Sequence, residues 1–114
     1  WYREKLGLKV TLRPPRSGAG EVMVLEGGGL MVELIQHDAA LALNKLSPPV
    51  SDPFQLHGFF KAGFIVEDFA ATLATLKDRG VQIAHGPYAA KDGRRANLII
   101  SDNAGNLIHI FGPA

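Results

Sequence analysis

The chain has 114 residues, a net charge of +1 and no cysteine, which is enough length for one domain with a buried core. These values exclude a disulfide framework, a thiolate zinc site, a cysteine nucleophile and the basic excess that nucleic acid binding needs. No apolar run approaches the roughly 20 residues of a membrane span, and the aromatic and charged opening does not read as a signal peptide, so the expected compartment is the cytoplasm.

In chain order, "WYREKL" reads as the end of a helix with Gly7 as its C-cap. Three alternating runs follow, "LKVTL", "EVMVLE" and "GLMVELIQ", separated by "RPPRSGAG" and "GGG" and predicting an antiparallel meander. Residues 37–56 predict a short helix capped by Asp38, then a segment whose three prolines resist regular structure, and together form a connection. "GFFKAGFIV" predicts a strand. "EDFAATLATLKDRG" predicts a helix with Asp68 as N-cap, Phe69, Thr72, Leu73 and Leu76 on one face, Arg79 in the last turn and Gly80 beyond it. "VQIAH", "RANLIIS" and "NLIHIF" complete the chain as strands, with "KDG" and "DNAGN" as turns.

The chain repeats itself. "EKLGLKV" and "KDRGVQI" share the order helix end, glycine, apolar, polar, apolar, and "GLMVELI" matches "GNLIHIF" from Gly29 and Gly105 onward. The second unit runs strand, helix, strand, strand, strand; the first lacks its strand and most of its helix. Equivalent units would therefore place roughly 15 to 20 residues before Trp1. The expected fold is α+β, one domain of two tandem βαβββ modules: residues 1–36 as a partial first module, 37–56 as the connection and 57–114 as the second module.

A tandem βαβββ pattern with "WYREKLGL" in one half and "GFIVEDF", "LKDRGV" and "SDNAGNLIHIF" in the other resembles the vicinal oxygen chelate superfamily, the glyoxalase, bleomycin resistance protein and extradiol dioxygenase relatives. The resemblance implies a cleft formed by the two modules, often holding a divalent metal through one residue from the first and last strand of each. The usual ligands are histidine on the first strands and glutamate on the last. Carried onto this chain, Glu33 keeps the first module's glutamate position. The second module's histidine position, seven residues before Asp68, is Lys61, and its glutamate position is His109. The fourth ligand would lie upstream of Trp1.

Strand alternation groups Met31 and Glu33 with Ile35, and Leu107 and His109 with Phe111, so Glu33 and His109 hold equivalent places. Lys61 is the informative departure, because an ammonium has no lone pair to offer a metal. Two readings of it stand side by side: a snorkelling stem with its head in water, or a cation standing where a metal would, paired with Glu33. His57 shares the face of Lys61 as a strand-entry residue, whereas His37 and His85 are expected at the surface. "EGGGL" leads into a strand instead of a helix and is a turn, without the amides of an anion site. Arg94 and Arg95 border a turn; Arg95 is retained as a contact for an anionic group, beside the reading of a solvated loop. Ser101 and Asp102 start a hairpin with no histidine placed to complete a hydrolase triad.

The function expected from these residues is small-molecule binding in the cleft without a standard metal site, with Glu33, Lys61, His109, Met31, Leu107, Phe111 and Arg95 as contacts. No cofactor is expected. The alternative is a lyase, epimerase or dioxygenase that uses zinc, nickel, iron, manganese or magnesium held by Glu33, His109 and an upstream histidine. A homodimer is implied by the resemblance, and neither nucleic acid nor membrane is an expected partner.

Overall fold

Apolar residues that alternate over short runs bury one face of a strand and leave the other open. A computed structural model describes residues 1–46, 58 and 60–114 and shows seven strands in two sheets among them. The α+β expectation is met. The second half of the connection, with its three prolines, and His57 lie outside the described residues. Two compact units divide the chain near residue 57, with most of the N-terminal helix belonging to the second.

The second unit begins with β4 (Lys61–Ile65), continues through α3 (Phe69–Asp78), and closes with β5 (Gln82–Tyr88), β6 (Asn97–Ser101) and β7 (Leu107–Phe111). The strand order is β4-β7-β6-β5, with β4 parallel to β7 and the other pairs antiparallel. The chain must therefore cross from one edge of the sheet to the other, and α3 is that crossover. Asp68 caps α3 as expected, accepting from the Ala71 amide at 2.9 Å, which satisfies one of the helix's orphan donors. Leu76 and Val81 are buried with Leu98, Ile100, Ile108 and Ile110. Leu98 is paired with Ile110 and Ile100 with Ile108, so these four share one face. Phe69 sits so close to Gly112 that a Cβ added there would meet the Phe69 Cβ at 3.2 Å. The helix α1 (Tyr2–Leu6) joins this unit through Arg79, whose guanidinium donates to the Lys5 carbonyl at 2.9 Å, while the Lys5 ammonium donates to the Arg79 carbonyl.

The first unit is the predicted meander, β1 (Lys9–Leu12), β2 (Gly20–Gly27) and β3 (Leu30–His37), antiparallel throughout. Among its described residues, Leu8 and Leu25 are buried. The repeat is visible in the backbone. Gly7 and Gly80, which follow α1 and α3, have φ of 77° and 63°, and the turn residues Gly29 and Gly105 have 77° and 85°; side chains rarely adopt this left-handed region.

One element differs from expectation. The short helix α2 runs Leu43–Leu46 and is not capped by Asp38. Residues 37–40 turn instead, with the Ala40 amide donating to the His37 carbonyl at 3.0 Å and the Ala39 amide to His37 Nδ1 at 3.1 Å. The Asp38 carboxylate is claimed by Arg16. The helix starts at Leu43, with the Lys45 amide donating to the Ala42 carbonyl at 2.9 Å, so Asp38 stands too far ahead of its first turn to cap it.

Candidate functional site

The candidate site is the open face of the four-stranded sheet, opposite the one that buries Leu98, Ile100, Ile108 and Ile110. Direct pairing of Lys61 with Leu107, Gly63 with His109, and Asn97 with Phe111 puts Lys61, Asn97, Ile99, Ser101, Leu107, His109 and Phe111 on this face. All seven are half-buried. Leu107, His109 and Phe111 from the last strand and Lys61 from the first, all expected from the sequence to be contacts, are thus brought together by register alone.

His109 is the centre of the group. Its ring stacks on Phe111 with centroids 3.8 Å apart and planes inclined by 30°. Its Nε2 lies 3.1 Å from Asn97 Oδ1. The Asn97 amide is itself oriented, because its Nδ2 donates to the Arg95 carbonyl at 3.0 Å. A carbonyl can only accept, so Nδ2 faces Arg95 and Oδ1 faces the imidazole. Oδ1 also can only accept, so His109 Nε2 carries a proton and donates it.

Burial pushes the His109 pKa below the ordinary histidine value of 6.5, and the Lys61 positive charge pushes it further the same way. The ring is therefore neutral at pH 7, with its single proton on Nε2 and a lone pair on Nδ1. That nitrogen has no hydrogen-bond partner among the described residues. Among the described residues no buried side-chain nitrogen or oxygen is left without one, so Nδ1 is open to water.

Lys61 places its ammonium 5.0 Å from the centroid of the Phe60 ring, within cation–π range. Gly63 has a packing reason: a Cβ there would meet Phe111 Cε2 at 3.2 Å, so the missing side chain makes room for the ring. Asn97, Gly63 and Phe60 are not among the residues that the sequence patterns single out. Asn97 had a signal, since a hairpin turning at "DNAGN" pairs Ser101 with Leu107 and hence Asn97 with Phe111.

Other candidates fall elsewhere. Glu33 lies on β3 opposite Val24, exposed and flanked on its face by Met31 and Ile35, which are 65% and 69% exposed. Arg95 donates through Nη1 to the Gly112 carbonyl at 3.2 Å, so it fastens the end of β7 to the start of β6. Arg94 and His37 are exposed, as is His85. The Asp102 carboxylate organises the β6–β7 turn, accepting from the Ala104 and Asn106 amides, each at 2.8 Å.

The donors on this face do not by themselves fit a divalent metal. His85 pairs with Ile99, which pairs with His109, so two strand spacings, roughly 10 Å, separate the two imidazole-bearing positions. The equivalent of a first-strand histidine is an ammonium. Among the described residues no group of three or more histidine, aspartate or glutamate side chains is arranged to hold a metal.

The model of the Glyoxalase/Bleomycin resistance protein/Dioxygenase superfamily matches residues 1–110. Solved structures agree on the fold. A glyoxalase family protein from Enterococcus faecalis aligns with a TM-score of 0.75 at 20% identity, covering 97% of this chain and 82% of that one. A glyoxylase/bleomycin resistance protein/dioxygenase domain from Frankia sp. EAN1pec gives 0.71 at 20% identity, with 100% and 79% covered. TnmS3, an antibiotic binding protein from Streptomyces sp. CB03234, gives 0.64 at 23% identity, with 99% and 81% covered. Among curated proteins none matches the chain.

Proposed function

Since the chain belongs to the glyoxalase/bleomycin resistance protein/dioxygenase superfamily, we propose that it binds a small molecule on the open face of its four-stranded sheet, without a standard metal site. One observation carries the reading: a neutral, oriented imidazole at His109, stacked on Phe111 and held by Asn97, with the Lys61 cation sharing the face. A few fixed polar groups on an apolar surface are what a small-molecule site needs, because apolar area supplies affinity and polar groups supply orientation. The antibiotic-binding relative TnmS3 supports the same direction. Leu107 belongs to the surface that a ligand would cover. Glu33 and Met31, on the equivalent face of the other sheet, and Arg95 remain proposed contacts, and a cytoplasmic homodimer is the proposed setting. No helix among the described residues is long and apolar enough to cross a membrane.

The test is a fragment screen followed by amide and side-chain chemical shifts. The reading expects shifts that cluster on Lys61, Asn97, Ile99, Leu107, His109 and Phe111. A library of planar and polar fragments that leaves all six unmoved refutes it.

A further inference from the structure

A neutral imidazole can present either an N–H or a lone pair to a ligand, and the two choices select opposite chemistry. In this protein the choice is made by a chain of two hydrogen bonds that ends on a backbone carbonyl. The Arg95 carbonyl takes the Asn97 Nδ2 proton at 3.0 Å, and Asn97 Oδ1 takes the His109 Nε2 proton at 3.1 Å. Reversing the Asn97 amide would set its oxygen against the Arg95 carbonyl and its NH2 against the ring. That arrangement loses one bond and places two lone pairs face to face, so the orientation is determined. Arg95 is in turn tied to Gly112 at 3.2 Å.

The group left for a ligand is the Nδ1 lone pair, on a face that His109 shares with Phe111, Ile99 and Leu107. We infer that His109 Nδ1 is a ligand-facing hydrogen-bond acceptor, so that this face selects planar aromatic molecules carrying an N–H or O–H donor over isosteres that lack one. The inference rests on the small-molecule reading and goes beyond it in naming the recognised group. An acceptor-only ligand at this position sets its lone pair against that of Nδ1 and strips both of water, a penalty that a donor avoids. Asn97 is the positioning residue: it sets the tautomer without needing to touch the ligand. Neutrality of the ring at pH 7, from burial and the Lys61 charge, keeps the lone pair available.

The test uses the whole chain and two near-isosteric probes, indole and benzofuran, which differ in an N–H replaced by an oxygen. Long-range proton–nitrogen correlation spectra of the ligand-free protein first report the tautomer, and the expected result is a protonated Nε2 and a pyridine-type Nδ1. Titration followed by NMR then expects indole to bind about two- to tenfold more tightly than benzofuran, the worth of one neutral hydrogen bond. Indole should also move the Nδ1 resonance upfield, and benzofuran should not. In His109→Phe, which keeps a flat ring without the acceptor, the preference for indole disappears. If that variant does not fold, the two wild-type titrations and the Nδ1 resonance decide the matter. Equal binding of both probes overturns the inference and leaves the small-molecule reading standing. A protonated Nδ1, or no binding of either probe, also overturns it; the broader reading fails only if the whole fragment library leaves the face unmoved.

Discussion

Replacing Asn97 by aspartate changes one atom type at the contact that orients His109, and its effect is calculable. The wild-type oxygen lies 3.1 Å from His109 Nε2. A carboxylate in the same place puts a negative charge about 4 Å from the imidazolium charge, an attraction of about 1 kcal/mol with the screening of bulk water and about 4 kcal/mol at the screening typical of a protein surface. The site is half-buried, so the coupling falls between these limits. Each 1.36 kcal/mol displaces a midpoint by one unit, and Asn97→Asp should therefore raise the His109 midpoint above its wild-type position by about one to three units. The same change removes the proton given to the Arg95 carbonyl, which costs about 1 kcal/mol of stability where His109 is neutral. Titration of the His109 ring carbon resonance in both proteins measures the midpoint directly. A midpoint that stays put or falls would show that the side chain of residue 97 does not face the imidazole and does not set its tautomer.

Lys61→Met removes the smaller of the two influences on His109, so its midpoint should rise and yet stay below 6.5 because burial is the larger cause; a midpoint unchanged by NMR would separate the two residues electrostatically. The depressed histidine also links stability to pH. The unfolded chain binds the proton more readily than the folded one, so His109 lowers stability as pH falls from the ordinary histidine value through its folded midpoint and has no effect above; urea midpoints of wild type and His109→Gln should converge in that acidic window, and parallel curves would refute the linkage. In the core, Leu98→Ala should cost about 2–5 kcal/mol, read as a lowered urea midpoint at unchanged slope, because Leu98 is fully buried. Elemental analysis after dialysis without chelator should find substoichiometric divalent metal; one equivalent that is lost in His109→Ala would establish His109 as a ligand instead of a hydrogen-bonding group.

Much of this protein is determined locally and can be read from the sequence. Asp68 ahead of an apolar stripe and Gly80 behind it specify α3, since a cap and a left-handed exit are properties of a few neighbouring residues. The alternation of "NLIIS" and "LIHIF" decides which side chains face the core, and the repeat around Gly29 and Gly105 makes Glu33 and His109 counterparts. The resemblance to the superfamily, carried by the order of those segments, extends the same reading to the family. Asp38 shows where local reasoning stops: it reads as a cap, but Arg16, distant in sequence, claims its carboxylate. The site stops there too. That β4 lies beside β7, bringing Lys61 onto the face of His109, follows from a parallel pairing across a helical crossover, which no adjacent residues encode. Whether His109 offers a proton or a lone pair depends on the Arg95 carbonyl, on a different stretch of chain, acting through Asn97. Sequence periodicity determines faces; the protonation pattern of a ring on one of them is set by which strands lie next to each other, and that is decided only when the sheet closes.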